Sequence, residues 1–576
     1  MKLGLPVSHL KTEQYKPLPP NTSFADFETN GLGGTFISGG FVTVNSDEVR
    51  IFHSIAGFFD LLDEYAPPVV YFHNLEYDGR YIINYLMEQE IAFQIINRVN
   101  RLLMLRFFIE IDGDDKEICI VDSYAMLMDS LKKLSKVFAP EYEKRDLDLD
   151  KVIFDPSNPK HIEYLIYDCL ALKYVVINSR ILMHDTFGVN ARYTTSSTAL
   201  RFWQTTIDIP LFRLGAEKDE FVRKSYSGGL VYVSRVDLFS DVSVFDVNSM
   251  YPSVMREYKY PHGSSYYTDR FEGQGFYECK IDATNAQFLF ITGYDEKEEK
   301  KSARKAGKFK AYITDVEYKL ALKLGYKIKI IKGLVFEKSD YLFTEFVNRC
   351  EQLRLAHGKD SVGIVTKYIQ NSLYGKFGTK TTREQIYYSP ELLEDCTPYI
   401  DPVTGDFYGL YVDLLEAEEN YMLPHLASYT TALARCKLVN LVLKAGIENC
   451  FYCDTDSIFV NSVGASRVQD EIGDLYGKIK LDAYFSHVVI VAPKVYFGTG
   501  KNRAKGFPNS MVKDLRDSLL SGTGAEVEFT GLNSNVQILK RRKAFNHPMS
   551  RSLSALPRDI IEKIVNVGVD RITGEK

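Results

Sequence analysis

Apolar and polar positions alternate through Phe24-Ala25-Asp26-Phe27-Glu28-Thr29, which predicts a strand with Asp26 and Glu28 on one face. Tyr164 and Asp168 are four residues apart in Tyr164-Leu165-Ile166-Tyr167-Asp168, one turn of a predicted helix. Alternating strands and helices continue to about residue 190. Further on, the apolar run Val242, Val244 and Phe245 predicts a strand that ends on Asp246 and faces a helix start at Tyr251-Pro252. Lys367, Asn371 and Tyr374 follow the i, i+4, i+7 spacing of one helix face. Phe451-Tyr452-Cys453-Asp454-Thr455-Asp456-Ser457 puts two carboxylates two residues apart between strand-like runs, as the tip of a hairpin would.

These acids suggest metal chemistry. Closely spaced carboxylates hold divalent cations, and a lone Asp at a strand end supplies the further ligand that a hairpin pair lacks. A lysine, an amide and an aromatic ring on one helix face suit a nucleoside triphosphate. Asp78, in Asn74-Leu75-Glu76-Tyr77-Asp78-Gly79, joins Asp26, Glu28 and Asp168 as a second acidic set, with Tyr164 beside it.

Taken in chain order, the elements around Asp246, Lys367 and Asp454-Thr455-Asp456 resemble motifs A, B and C of family B DNA polymerases, and their wording is close to the protein-primed branch. The N-terminal acids are similar to the three-motif 3′–5′ proofreading exonuclease that precedes such polymerases. The resemblance implies an α/β, RNase H-like exonuclease domain over residues 1–190. It implies an α+β right-hand polymerase domain of palm, fingers and thumb over 191–576, with insertions near 295–342 and 380–420. The first insertion is where the branch meets its priming protein, and the second is tied to processivity and strand displacement.

Site residues follow from the same resemblance. Asp246 and Asp456 are expected to bind the catalytic metals, with Asp454 in support and Lys367 on the triphosphate. Tyr251, Asn371 and Tyr374 are expected around the nucleotide, with Tyr251 excluding a 2′-hydroxyl. In the exonuclease part, Asp26, Glu28, Asp78 and Asp168 are the expected metal ligands, Tyr164 orients water, and Lys144 matches a lysine of that site. Thr29, His73, Asn74, Tyr77 and Ser123 fall where the family contacts single-stranded DNA, although His73 reads equally well as a hydrogen-bonded structural histidine. Tyr124 replaces the Leu usual after Ser123. Tyr226-Ser227-Gly228-Gly229 resembles the linker motif whose glycines let DNA approach the backbone. Thr431 and Arg435 resemble a primer-template contact, and Lys494 and Tyr496 a pair on one strand face that grips the primer end. Gly363 sits where a second lysine of the fingers helix is usual, which leaves Lys359 or Arg354 as substitutes.

Composition narrows the remaining choices. The chain has 576 residues, 45% of them hydrophobic, enough for more than one core. Its net charge of −6 excludes a uniformly basic DNA-coating protein, so any DNA path is a local basic channel. Two basic runs are candidates for DNA contact or for solvated faces: Lys297, Lys300, Lys301, Arg304, Lys305, Lys308 and Lys310, and Lys540, Arg541, Arg542 and Lys543. Cys450 and Cys453 form the one close pair among eight cysteines, with side chains expected on opposite strand faces, so free thiols in a reducing compartment are expected. No secretory core and no run of about 18 apolar residues is present, which predicts an intracellular, cytoplasmic protein with no membrane partner.

The expected cofactor is Mg²⁺, with Mn²⁺ as the alternative, two ions per active site. The expected partners are DNA template-primer, dNTPs, a terminal protein primer and a single-stranded DNA-binding protein, with the chain itself a monomer. A family B polymerase using nucleic-acid primers, a stand-alone nuclease and a non-catalytic DNA-binding module remain as alternatives.

Overall fold

The computed structural model describes the chain except residues 1–5, 32–33, 99–100, 146, 148–152, 403, 417–418, 533, 536–538, 541–545 and 575–576. Two large sheets organise it, and each carries one of the acidic sets.

The first sheet has ten strands. Third from one edge, Ser23–Thr29 pairs antiparallel with Phe36–Thr43 and parallel with Val69–Phe72, which in turn runs parallel to Asp114–Asp122. The predicted alternation is what sorts its side chains. Ala25 and Phe27 enter one apolar core, where the Phe27 ring meets Phe36, Phe52, Phe58 and Phe72 edge-on, while Phe24 enters the core on the other side. Asp26 and Glu28 share Phe24's parity and face the helix Pro159–Phe187 that covers this side. That helix begins where its sequence says it should: Asn158 caps Lys160 N–H and Pro159 opens the first turn. It ends on Gly188 with φ 67°, which a glycine adopts freely.

The far edge of the same sheet is formed by residues from much later in the chain. Thr382–Tyr388 pairs antiparallel with Phe93–Arg98 through Ile386↔Ile95, Tyr387↔Gln94 and Tyr388↔Phe93, and Phe407–Glu416 and Pro398–Ile400 extend it. Residues 382–416 therefore form strands that extend the N-terminal sheet. Ile386 and Leu410 complete the apolar core of that sheet.

The second sheet is antiparallel, with strand order Lys501–Ala504, Val495–Gly498, Ile479–Ala492, Asp237–Val247, Ser457–Val460, Cys450–Asp454 and Val231–Val233. A bulge between Cys450 and Tyr452 shifts the strand's phase, so Cys450 and Cys453 enter the same core rather than opposite faces. All eight cysteines are free thiols.

Helices Thr344–His357 and Ser361–Phe377 form an antiparallel pair beside this sheet, joined by a short turn that carries Lys359. The stretch 295–342 is not separate from its surroundings: its strands Lys308–Thr314 and Lys327–Asp340 share a four-stranded sheet with Tyr260–Thr268 and Gly275–Asp282. One apolar cluster runs from Val7 to Ile479, so packing is continuous across residue 190. Among the described residues, no helix is long and apolar enough to cross a membrane.

Candidate active sites on two sheets

The N-terminal centre is the denser one. Asp26 and Glu28 from the strand and Asp168 from the covering helix bring one carboxylate oxygen each to within 4.8 Å of one another. Among the described residues no other set of three such ligands meets that distance. Burial, together with Asp26 and Asp168, pushes Glu28 up to about 9. Burial pushes Asp168 up to about 7 against the pull of Lys144, which pairs with its Oδ2. Asp168 Oδ1 is buried with no protein hydrogen-bond partner. Lys144 itself is held protonated: burial opposes its charge, but Asp168 and Asp26 outweigh that and raise its pKa. Crowding three carboxylates around one lysine disfavours their ionisation in the protein alone, and Asp168 Oδ1 is left buried without a partner. A divalent cation fits that arrangement.

Tyr164 is buried against this group, with Lys144 Nζ 4.9 Å from its ring centre. Asp78 lies outside the trio, at the start of helix Gly79–Glu88. It remains in the same field, because burial and then Asp26 and Glu28 raise its pKa well above the carboxylate range. Around the rim, Thr29 Oγ1 and the Tyr77 hydroxyl are 2.9 Å apart, and Asn74 is exposed with φ 70°. His73 has both ring nitrogens engaged inside the protein, with Ser123 Oγ at 3.0 Å and the Asp129 carbonyl at 3.0 Å. Its structural role is therefore the one the contacts support, and only its ring face is left for DNA. Tyr124 packs edge-on against His73, with the Arg101 guanidinium 4.7 Å from its ring.

In the second sheet, Asp246 at the end of its strand pairs in register with Ser457, and Val247 N–H donates to Asp456 O at 2.8 Å. The central strand thereby lies against the hairpin tip, where Thr455 takes φ 63°. Asp246, Asp454 and Asp456 line a cleft of about 340 Å³ with Lys494, Tyr496, Lys501 and Arg503. Burial pushes Asp456 up to about 6, with Asp246 and Asp454 adding to the shift. Asp454 is drawn toward Lys494, whose Nζ lies 2.5 and 2.6 Å from its two oxygens.

A fourth carboxylate was missed. Asp482 lines the cleft, pairs with Lys501 at 2.8 Å and is the largest charged contribution, after burial, to the raised pKa of Asp246. It sits on a register break between Leu481 and Ala483, which turns it toward the site. Leu-Asp-Ala-Tyr gives no sign of that bulge.

The helix Ser361–Phe377 presents Lys367 and Asn371 to solvent on one face, and the Tyr374 ring stacks on Tyr251 at 4.4 Å. Its buried Gln370 donates to Ser249 Oγ at 3.2 Å and accepts from the Tyr476 hydroxyl at 2.6 Å, tying the helix to the turn after Asp246. Arg354 lies within the field of Tyr476 on the neighbouring helix, whereas Lys359 is exposed at the turn.

Several expected DNA contacts turn out differently. Arg435 is 2% exposed; it donates to Glu317 at 2.7 and 3.1 Å and to the Ser227 and Gly228 carbonyls at 2.6 and 2.9 Å. It cannot reach a phosphate, and instead clamps the Tyr226–Gly229 linker. Thr431 is likewise buried, donating to Ser428 O at 3.0 Å. A Cβ on Gly229 would meet Thr455 Oγ1 at 2.7 Å, so the close approach this glycine permits is to the hairpin tip; Gly228 faces open space. Tyr226 packs over Gly378, beyond the end of the Lys367 helix.

Lys494 is not on a strand face with Tyr496: it sits in the turn before Val495–Gly498 with φ 64°, and Tyr496 is buried among Phe459 and Phe485. In the basic run, Lys301 turns inward to the Lys224 carbonyl and Arg304 to the Phe290 carbonyl at 3.1 Å. Lys310 pairs with Glu278 and Glu296, while Lys297, Lys300, Lys305 and Lys308 are exposed. Lys540 pairs with Glu384 of the inserted hairpin at 2.6 Å, and Arg541, Arg542 and Lys543 lie outside the described residues.

The family described as DNA polymerase type B, organellar and viral, matches residues 64–155 and 157–405, more than half of the chain. The chain belongs to this family. As a type B polymerase it is similar to the DNA polymerase of Bacillus phage M2, 24% identical over 478 residues that cover 77% of this chain and 79% of that one. It is 25% identical over 457 residues to the DNA polymerase of Bacillus phage phi29, covering 73% and 74%. Among solved structures, phi29 DNA polymerase in an orthorhombic crystal form superposes with a TM-score of 0.73 at 20% identity, covering 89% of this chain and 97% of that one. The phi29 enzyme in a ternary complex with primer-template DNA and incoming nucleotide superposes at 0.72 and 18% identity, covering 94% and 100%. The fold is thus an exonuclease unit with palm, fingers and thumb.

Proposed function

We propose that this DNA polymerase replicates a linear genome from a terminal protein primer and proofreads its own product. Residues 1–190 serve as exonuclease, and 191–576 as polymerase. The observation that carries the reading is the separation of two carboxylate centres onto two sheets of one chain.

Divalent cations at these centres, Mg²⁺ with Mn²⁺ as the alternative, supply Lewis-acid chemistry for nucleotidyl transfer in one and phosphodiester hydrolysis in the other. Asp246 and Asp456 hold them in the palm. Asp454, restrained by Lys494, backs the pair without ligating, and Asp482 adds negative charge behind Asp246. Lys367 and Asn371 take the triphosphate, and electrostatic positioning supplies most of the rate. Tyr251, backed by Tyr374, lies under the sugar and rejects a 2′-hydroxyl. A frayed 3′ end enters the first centre past Thr29, Asn74 and Tyr77, while the expected contact Ser123 is buried and bonded to His73. There Asp26, Glu28 and Asp168 hold the cations, Asp78 adds to their field, Tyr164 orients the attacking water and Lys144 holds Asp168.

The terminal protein docks at 295–342, the insertion near 380–420 closes the channel for strand displacement, and a single-stranded DNA-binding protein covers the displaced strand. The polymerase acts as a monomer inside the cell.

The test incubates purified protein with Mg²⁺, labelled dATP and the candidate terminal protein without oligonucleotide, beside a primed-template reaction. Label joined covalently to protein is expected, and extension of the primed template alone would remove the priming claim. Asp456→Asn is expected to abolish synthesis. Asp26→Ala with Glu28→Ala is expected to abolish hydrolysis of the 3′ end and spare synthesis; loss of both activities would sink the two-centre assignment.

A further inference from the structure

The Lys367 helix is joined to the exonuclease rim by a polar contact that neither centre uses. The Tyr368 hydroxyl donates to Asp129 Oδ2 at 3.0 Å across 239 residues of sequence. The other Asp129 oxygen is occupied by the Ser130 N–H at 2.9 Å and by Lys133 at 3.1 Å. The Asp129 carbonyl meets His73 Nε2, whose Nδ1 meets Ser123 Oγ. Burial lowers the His73 pKa to about 4, so the ring is neutral at neutral pH. A carbonyl can only accept, which puts the proton on Nε2 and makes Ser123 the donor to Nδ1. Hydrogen bonds therefore join Ser123 to His73 and His73 to the Asp129 carbonyl, and the carboxylate of that same residue takes the Tyr368 hydroxyl.

The rest of the helix's seating combines the two bonds of Gln370 to neutral partners, Ser249 Oγ and the Tyr476 hydroxyl, with apolar packing. Val365, Ile369 and Leu373 are fully buried, and such packing is non-directional. It leaves the rotation of the helix about its axis less sharply defined than a bond to a charged acceptor does. Tyr368 is the residue after Lys367 and three before Asn371, so fixing its hydroxyl fixes where those two side chains point.

We propose that Tyr368 is a positioning residue for the incoming triphosphate, acting through its bond to Asp129. The proposal rests on the reading of Lys367 as the triphosphate contact. Tyr368→Phe keeps the ring and deletes the bond. Loss of one hydrogen bond to a charged group is expected to raise KM for dNTP about tenfold, with kcat at saturating dNTP and hydrolysis of a single-stranded oligonucleotide within about twofold of wild type. Asp129→Ala reproduces the KM change, the double variant adds nothing to it, and Asp129→Asn, which keeps an acceptor oxygen, recovers most of it. Lys367→Ala separates the two readings: an unchanged dNTP KM there would fault the Lys367 assignment itself. A raised KM in Lys367→Ala with a wild-type KM in Tyr368→Phe would overturn the positioning role. So would a Tyr368→Phe protein whose kcat and melting temperature fall while KM stays put.

Discussion

Arg435 offers the sharpest test of burial against motif resemblance. The motif places it on DNA, whereas the fold encloses it with Glu317, at 2% and 5% side-chain exposure. Arg435→Met would leave the Glu317 carboxylate with only its cap bonds to Thr314 N–H at 3.0 Å and Thr314 Oγ1 at 3.1 Å, and would leave the Ser227 and Gly228 carbonyls without their donor. Breaking a buried ion pair from one side costs about 3–5 kcal/mol, because the remaining charge stays in a low-dielectric site. Removing both charges avoids that, so Arg435→Met with Glu317→Gln is expected to cost less than the sum of the two single changes, by a coupling of about 0.5–3 kcal/mol. Thermal melts of the four proteins measure this, and duplex binding against salt gives the second reading. A phosphate contact contributes about 0.9 to the slope of log K against log salt, whereas a clamp contributes none. An Arg435→Met protein that melts like wild type and loses that slope would refute the burial argument.

Two further outcomes follow from close packing and from burial. Gly229→Ala puts a Cβ at 2.7 Å from Thr455 Oγ1 and should displace the tip that carries Asp454 and Asp456, lowering kcat for incorporation at least about tenfold, while Gly228→Ala, facing open space, should stay near wild type; equal rates in both would dismiss the contact. His425 is enclosed, stacked on Phe336, and burial together with His262 lowers its pKa to about 3. The unfolded chain binds that proton near pH 6.5 and the folded one does not, so this stabilisation is complete above pH 6.5 and declines toward pH 3, by about 1.4 kcal/mol per unit. His425→Leu should therefore gain melting temperature relative to wild type as pH falls from 7.5 to 5.5; a constant difference would mean that His425 titrates normally in the fold.

What the sequence made legible was what is local. Alternation along Phe24–Thr29 placed Asp26 and Glu28 together because strand parity needs only neighbouring residues. The spacing of Lys367, Asn371 and Tyr374 put them on one helix face for the same reason. The losses are all non-local or depend on one broken register. The Tyr388↔Phe93 pairing joins strands almost three hundred positions apart, and nothing in either segment announces the other. Asp482 reaches the palm through a bulge, and Lys494 leaves the strand because it takes a positive φ. Arg435 looks like a DNA contact until Glu317 is placed beside it.

The same limit hid the electrostatic plan that the two centres share. In each, one lysine binds one acid of the set, Lys144 on Asp168 and Lys494 on Asp454, from 24 and 40 residues away in sequence. The consequences differ with geometry. Lys144 pairs through Oδ2 alone, so Asp168 keeps a free oxygen and can still ligate beside Asp26 and Glu28. Lys494 spans both oxygens of Asp454, whereas Asp246 and Asp456 carry no such ion pair among the described residues, which is why the proposed assignment gives the cations to those two. Motif C writes its two aspartates as equals, and the lysine forty residues later makes them unequal.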